Sequence, residues 1–326
     1  MNLTEACATK NASFRAGRIA EILGGHRRLL PSDTQSPAPM DPCMENLIFE
    51  LESKISNSEA IEFVLPGFPC KSSSQWKVLD RWPDKAEEIS LRFLDGLCRQ
   101  IRDITHGEVK ITICSDGRVF SPHIRVPDEH ILDYGRELKQ MIEDNGLTNL
   151  DIFQLEDCMS GSPNQLRAEV LHNFGRTIEE IREETTADPS LHNTRLGLTR
   201  FMLEEGKAWR ERTGSSETNG QLQKDAKERA WRVLQASQAW GALVASMFPD
   251  SLRLSIHPQT TDSRKLGLFL IPTNDSFLTP WHGVAVENCG QFGLMRAKDL
   301  DRLEGRIVCE RGRPSHFVCE SPDKPK

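Results

Sequence analysis

Residues that can carry out chemistry occur in four short stretches of the chain, and the first contains Lys71. It follows the apolar run 61–65, which has the length of a strand, across a loop with Pro66 and Pro69. Lys71 is either a solvated loop lysine or a functional residue that binds phosphate or acts as an amine nucleophile with a lowered pKa. Ser72 is grouped with it as a substrate-binding candidate.

The second stretch follows a strand-like alternation of apolar and polar residues over 109–113. Asp116 lies in the turn-forming group 115–118, where it is either a catalytic acid or base, or merely part of an Asp-Gly hairpin turn. The substrate-binding candidates in and after this group are Ser115, Arg118, Phe120 and Ser121.

The third stretch is a short predicted strand over 252–256. Arg253, Ser255 and His257 occupy alternating positions and therefore share one face. A single buried histidine is more often a structural residue, but an arginine, a serine and a histidine on one face are also suited to an anion site. Lys265 either completes that site or is simply exposed.

The fourth stretch, Thr279-Pro-Trp-His, places Trp281 and His282 at the entry to another predicted strand. We include Trp281 as a substrate-binding candidate and His282 as a catalytic one. Tyr134 is the only tyrosine of the chain, and its helical spacing favours a place in the core.

The elements that must position these residues alternate between strands and helices. Two strands, over 61–65 and 109–113, flank a helix that begins near Pro83, and a third strand is predicted near 150–155. Asp128 is expected to cap the helix before that third strand. This order predicts a Rossmann-like parallel sheet flanked by helices, with ligands at the carboxyl ends of the strands. There is no G-x-G-x-x-G fingerprint, so a dinucleotide is not the expected ligand.

We divide the chain into three segments. Residues 1–60 are predicted to be an N-terminal helical extension and linker, and 61–160 the Rossmann-like α/β core. Residues 161–326 are predicted to be a helical insert followed by an α+β portion of short C-terminal strands that complete the catalytic domain. The finer predictions are helices over 14–29 and 44–55, a connector over 31–42, two helices within 165–211, a long helix over 222–248, and strands over 252–256, 265–271, 282–287 and 291–296; the tail past 303 is unassigned.

Composition excludes several classes of partner and reaction. The net charge is −7 and there is no basic run, which argues against binding to nucleic acid or a membrane surface. Nine cysteines without a C-x-x-C pair, and no apolar run long enough to cross a bilayer, predict free thiols in a cytoplasmic protein. The motifs H-E-x-x-H, H-x-D, G-x-S-x-G and G-x-x-x-x-G-K-[ST] are absent, so no metal ligands are predicted.

Taken together, the four stretches resemble the isonitrile (isocyanide) synthase family of the pyoverdine/dityrosine-biosynthesis superfamily. The matching segments are LPGFPCKS (65–72), KITICSDGRVFS (110–121), RLSIHPQ (253–259) and TPWHGVAV (279–286). Gly67 and Cys70 depart from the commoner choices at their positions. The resemblance covers roughly 61–145 and 228–296.

The resemblance implies that the protein converts the amino group of an α-amino acid to an isonitrile. The added carbon would come from ribulose 5-phosphate, with no metal or nicotinamide cofactor. Arg118, Arg253 and Lys71 would hold the anionic groups of the substrates, while Asp116, His257 and His282 would transfer protons. Lys71 would act as an acid or base, or as an imine former. We therefore expect Lys71, Arg118 and His257 to line one site.

Two other functions stay open at this point. Some members of the superfamily are linked to N-formyl-tyrosine formation, so a formamide is an alternative product. A non-catalytic protein that binds an amino acid or a phosphosugar is a second alternative. Some relatives are fused to an iron- and 2-oxoglutarate-dependent oxygenase; this chain has no H-x-D motif, so any later oxidation would need a separate protein.

Overall fold

The structure is a computed structural model that describes residues 3–30, 41–275 and 277–320. Five strands form a parallel sheet in the order β3-β2-β1-β4-β5. These strands are β1 (Ile61–Pro66), β2 (Val109–Cys114), β3 (Leu150–Phe153), β4 (Leu252–Ser255) and β5 (Leu266–Gly267). The predicted Rossmann-like sheet is confirmed.

Helices cover both faces of this sheet. The N-terminal and core helices are α1 (Leu3–Gly24), α2 (Pro42–Ser56), α3 (Lys85–Thr105), the short α4 (Gly117–Phe120) and α5 (Asp128–Asp144). Those of the insert are α6 (Pro163–Phe174), α7 (Ile178–Ala187), α8 (Pro189–Thr213) and α9 (Asn219–Met247). Leu94 and Leu97 of α3 are buried in the core on one face, and Trp240 and Leu243 of α9 are buried on the other.

A second, mixed sheet of four strands has the order β7-β6-β9-β8. It contains β6 (Val284–Asn288), β7 (Gln291–Met295), β8 (Gly305–Glu310) and β9 (Arg313–Cys319). The predicted hairpin between β6 and β7 is confirmed by their antiparallel register. The last two strands were not predicted, because β8 is mostly exposed and shows no clear apolar alternation.

Several finer predictions need correction. The segment predicted as two helices contains three, α6 to α8, although the predicted break at Asp188 is confirmed. The strand expected over 265–271 is reduced to the two residues of β5. Asp128 does not cap α5, since its carboxylate makes other contacts. The Asp-Gly turn is not a hairpin, because β2 leads into α4 and pairs only in parallel.

The three predicted segments relate to the sheet in a simple way. Position 61 is the start of β1, and position 161 lies in the loop before α6. β4 and β5, from the third segment, extend the sheet that the second segment begins. The division into segments stays a prediction, and most of the predicted connector lies outside the described residues. Among those residues, no helix is long and apolar enough to cross a bilayer.

One close backbone contact fixes how the loops after β1 and β2 pack together. A Cβ built on Gly117 would lie 2.0 Å from the Pro69 carbonyl oxygen, so only glycine fits there. By contrast, a Cβ on Gly96, inside α3, would meet nothing within 4 Å.

We therefore expect Gly117→Ala to lower the free energy of unfolding by about 1–3 kcal/mol, because the loops must separate to admit the methyl group. Gly96→Ala is the matched control. It should raise the free energy of unfolding by roughly 0.5–1 kcal/mol, because alanine has a higher helix propensity than glycine. Urea unfolding followed by circular dichroism measures both. Equal stability of the Gly117→Ala variant and the parent would contradict the close contact.

Candidate active site

The order of the parallel strands marks the place where a ligand can bind. Chain order reverses between β1 and β4, which are neighbours in the sheet. In such sheets the connections leave in opposite directions and open a crevice at the carboxyl ends. The loop containing Lys71 follows β1, Asp116 follows β2, and His257 follows β4. Three of the four candidate stretches therefore end at this edge.

The loop after β1 is held against the fourth stretch. Phe68 is fully buried with a positive φ of 54°, and its ring centroid lies 5.0 Å from that of Trp281. The Ser72 N–H donates to the Trp281 carbonyl at 2.9 Å, and the Ser115 hydroxyl donates to the Phe68 carbonyl at 2.9 Å. These contacts join the loops after β1 and β2 to the turn Pro280–His282.

Lys71 is fully enclosed and fully paired. Its Nζ lies 2.9 Å from Asp84 Oδ2, 2.9 Å from Glu87 Oε2 and 3.1 Å from the Pro280 carbonyl oxygen. An ammonium group has three protons, and each has an acceptor here. Burial by itself would lower the pKa of Lys71, but the charges of Asp84 and Glu87 raise it overall. Lys71 is therefore held as a cation.

The two carboxylates come from the start of α3, which ties the helix to the loop. Asp84 is the N-cap, and its Oδ1 accepts from the Ala86 N–H at 2.8 Å, while Glu87 accepts from the Asp84 N–H at 3.0 Å. The Tyr134 hydroxyl, buried as expected, donates to Glu87 Oε1 at 3.1 Å. Burial, together with the charge of Glu87, raises the pKa of Asp84 well above its usual value despite Lys71.

This environment separates the roles suggested for Lys71. An imine former must lose its proton before it attacks a carbonyl, and two adjacent carboxylates oppose that loss. A cation that positions the loop after β1, or that gives up a proton as an acid, fits the same contacts. The catalytic assignment of Lys71 stays a prediction.

A second buried ionic group, which the sequence alone did not indicate, lies beside the first. Glu205, on α8, accepts from the Ser72 hydroxyl at 3.0 Å and pairs with Lys77 Nζ at 2.7 Å. Lys77 Nζ also lies 4.0 Å above the ring of Phe201. The charge of Lys77 helps to lower the pKa of His282. The helical insert thus contributes Phe201 and Glu205 to the site, but in the sequence they are ordinary members of a long helix.

Asp116 has the environment expected of an acid–base group near neutral pH. Burial raises the pKa of its carboxyl group to about 7. Its Oδ1 is buried and has no hydrogen-bond partner among the described residues. Although Asp116 is the N-cap of α4, its side chain makes no capping hydrogen bond. A half-ionised carboxyl group whose Oδ1 has no partner among the described residues can both accept and donate a proton.

The two candidate histidines are neutral at physiological pH and reachable by solvent. Desolvation of the ring by neighbouring protein atoms, together with the charges of Arg28 and Lys265, lowers the pKa of His257 to about 4, although the residue as a whole is exposed to solvent. Burial and nearby cations lower the pKa of the half-buried His282 well below its usual value. His282 Nδ1 lies 2.9 Å from the Thr279 hydroxyl. His257 follows β4, and its charge, when it is protonated, acts on His282, so both rings lie beside the crevice at the carboxyl ends of the strands. We call this crevice the recess.

Arg118 belongs to a different ionic group. It pairs with Asp128 at 2.9 Å and with Glu156 at 2.7 Å, and only 4% of its side chain is exposed. Asp128 also accepts from Ser121 at 2.8 Å and pairs with Arg167 at 2.8 Å. No described hydrogen bond or ion pair joins Arg118 to the residues around Lys71. Its positive charge is already neutralised by Asp128 and Glu156. The expectation that Arg118 lines one site with Lys71 and His257 stays a prediction.

The remaining candidates divide between structural and open positions. Phe120 packs against buried residues of α9 and its surroundings. The Ser255 hydroxyl accepts from the His257 N–H and from the Gln259 amide, each at 3.1 Å. Arg253 is half-buried on β4, opposite Val64 of β1. The described residues contain no group of three or more His, Cys, Asp or Glu placed to hold a metal ion.

The fold and the site define a Rossmann-like α/β protein with a polar recess at the switch point of its sheet. The chain belongs to the pyoverdine/dityrosine biosynthesis protein family, whose model matches residues 51–308. It is 40% identical to the PvcA protein from Pseudomonas aeruginosa in its crystal structure, with a TM-score of 0.86 over 93% of this chain and 99% of that one.

Among curated relatives, an L-tyrosine isonitrile synthase from Pseudomonas aeruginosa is 42% identical, over 92% of this chain and 93% of its own. An L-tryptophan isonitrile synthase, AmbI2, from Fischerella ambigua is 36% identical, over 90% of this chain and 88% of its own. The resemblance to the isonitrile synthase family is thus confirmed over nearly the whole chain.

Replacing Lys71 by methionine should lower the free energy of unfolding at pH 7 by about 3–5 kcal/mol, because two buried carboxylates lose their cation. The carboxyl groups then take up protons in the folded state, so the loss should shrink as the pH falls toward 5. Lys139→Met, at an exposed position of α5, is the matched control. A Lys71→Met variant as stable as the parent in urea unfolding would contradict the ion pairs described here.

Asp116→Asn should stabilise the protein in a pH-dependent way. The folded-state pKa of Asp116 lies above its ordinary value, so folding takes up a proton between about pH 4 and pH 7, and stability falls as the pH rises through that range. Asparagine does not ionise, so the asparagine variant does not lose stability in this way. Its free energy of unfolding should exceed that of the parent by a few kcal/mol at pH 7 and by a constant amount at higher pH. Urea unfolding at several pH values measures the difference. A flat difference, like that expected of the exposed control Asp301→Asn, would contradict the raised pKa.

Proposed function

We propose that this protein is an isonitrile synthase that converts the amino group of an L-amino acid into an isonitrile, with ribulose 5-phosphate as the carbon donor. Support comes from relatives named as L-tyrosine and L-tryptophan isonitrile synthases, which match nearly the whole chain at 36–42% identity. The stretches that contain Lys71, Asp116 and His257 also follow strands that end at one edge of the sheet, beside the point where chain order reverses.

The observation that carries the mechanism is the group of proton-transfer residues at this edge. Addition of an amine to a ketone forms a carbinolamine, and loss of one water then forms an imine. The amine must first lose a proton, and the departing oxygen must gain one. Asp116, with a pKa of about 7, can do both. His282, whose pKa is lowered well below its usual value, is neutral at physiological pH and can accept a proton as a weak base.

Lys71 would serve this chemistry as a positioning cation. It joins the loop after β1, the start of α3 and the turn that contains Trp281 and His282. Its fixed position would keep His282 on one side of the recess and Asp116 on the other. The hydroxyl groups of Ser72 and Ser115 already donate to Glu205 and to the Phe68 carbonyl. Their positions relative to a substrate would therefore be set by the same packed loops.

We further propose that the amino acid is aromatic. The relatives named above act on L-tyrosine and L-tryptophan. In this chain, Trp281 and Phe201 flank His282, with ring centroids 6.2 Å and 5.1 Å from the imidazole. Aromatic rings in such a site favour a flat aromatic side chain through offset or edge-to-face contacts. Cytoplasmic location, independence of metal and nicotinamide, and a separate oxygenase for any later oxidation belong to the same proposal.

The experiment is to incubate the protein with uniformly ¹³C-labelled ribulose 5-phosphate and, separately, L-tyrosine, L-tryptophan and L-leucine. Mass spectrometry should show an isonitrile that carries one labelled carbon from the sugar, and the aromatic substrates should react best. A formamide contains one more water than the isonitrile, so the alternative product is distinguished directly. Ribose 5-phosphate, an aldose isomer without the ketone, is the matched control and should give no product.

In the same assay, Asp116→Asn should lower kcat by roughly 10²- to 10⁴-fold, as expected for loss of a general acid–base group, whereas Asp301→Asn should not. Binding of ribulose 5-phosphate without any consumption of it would instead identify a non-catalytic phosphosugar-binding protein. An isonitrile without labelled carbon would rule out this donor.

A further inference from the structure

Two basic side chains lie next to each other on the strands beside the switch point. β4 and β5 pair in parallel, with Leu254 opposite Leu266 and Ser255 opposite Gly267. Continuing this register by one residue places Arg253 beside Lys265. Residues opposite each other in a parallel sheet project from the same face, so the two basic side chains are neighbours. His257 lies two residues past the end of β4, close enough to Lys265 for the charge of Lys265 to lower the pKa of His257.

The positive charges of this group are not neutralised by the protein. No carboxylate of the described residues forms an ion pair with Arg253 or Lys265, and the buried Nε of Arg253 has no hydrogen-bond partner there. Glu62, on the same face of the sheet, instead accepts from the Thr112 hydroxyl at 3.0 Å. The charge of Arg253 lowers the pKa of Lys265, after the larger effect of burial.

The other cations at this edge differ in that respect. Lys71 has two carboxylates within 2.9 Å, and Arg118 is paired with two others. Clustered cations without carboxylates are unfavourable unless an anion joins them. Lys265 and His257 are both exposed to solvent, so an anion can reach them from the recess.

We infer that Arg253, His257 and Lys265 form the subsite that binds the phosphate group of the sugar phosphate. This inference rests on the proposed function and deepens it. A phosphate monoester is a dianion with three terminal oxygens, which matches a guanidinium, an ammonium and an imidazole N–H better than a monoanionic carboxylate does. The ketone of the same molecule would then extend toward Asp116 and His282.

The carboxylate of the amino acid is the competing occupant, so the test must separate the two substrates. Lys265→Met is the main variant, because Lys265 is exposed and its loss should not disturb folding. Arg253→Gln is a second variant that removes the neighbouring charge. Lys139→Met, an exposed lysine on α5, is the matched control.

With the purified full-length protein, we expect Lys265→Met to raise the KM for ribulose 5-phosphate by about 10- to 100-fold, the range for loss of a charge-assisted hydrogen bond. The KM for the amino acid should change less than about 2-fold, because this substitution removes no contact to the amino acid. An increase confined to the KM of the amino acid would overturn the inference in favour of a carboxylate subsite.

Titration calorimetry with inorganic phosphate tests the subsite by binding alone, without any enzymatic reaction. The parent and Lys139→Met should bind phosphate alike, and Lys265→Met and Arg253→Gln should bind it at least about 10-fold more weakly. If the parent does not bind phosphate, or if Lys265→Met binds it equally well, the subsite is wrong even when isonitrile is formed. If phosphate binds as expected but no isonitrile forms, the subsite stands and the proposed reaction fails.

Discussion

The buried ionic group around Lys71 holds the parts of the site together. Its ammonium joins three elements that are far apart in the chain: the loop after β1, the first turn of α3 and the turn that begins at Pro280. The side chains of Lys71, Asp84 and Glu87 are 0–3% exposed, so none of them can exchange its partner for water. Removal of one member of such a group leaves a buried charge, which is why the arrangement permits little movement. The positions of Trp281 and His282 depend on it.

The cations of this protein fall into two classes with different tasks. Lys71, Lys77 and Arg118 are neutralised by carboxylates and connect elements of the fold. The half-buried Arg253 and the exposed Lys265 have no such partners among the described residues. The cations paired with carboxylates stabilise the packing of helices and loops around the site. The cations without such partners are available to bind an anionic ligand. Burial raises the pKa of Asp116 to about 7, and no ion pair among the described residues offsets this effect.

Most of the sheet could be predicted from the periodicity of apolar residues. For the site, the sequence indicated which residues could take part but not which of them contact one another. The apolar runs of β1 and β2 and the periodic face of α3 are local signals that packing preserved. β8 was missed because an exposed strand needs no apolar alternation. β9 was missed although its centre is buried, because two of its three buried residues, Ser315 and His316, are polar. The ionic partners of Lys71 were visible only as acidic residues suited to a helix start, where Asp84 and Glu87 form a capping box. Nothing in the sequence marked Glu205 and Phe201 as site residues. Their partners, Ser72 and Lys77, are more than 120 residues away in the chain and come close only because α8 packs there.

By itself, the sequence determined which chemical groups stand at the ends of the strands. Strand ends are local, and a parallel sheet brings all its carboxyl ends to one edge, so the loops that carry Lys71, Asp116 and His257 begin at that edge. Only the tertiary structure decided which of the charged groups remain available. Neutralisation of Arg118 by Glu156, and of Lys71 by Asp84 and Glu87, depends on side chains that packing brings together. Charge pairing is a matter of distance in space, and no spacing along the chain encodes it.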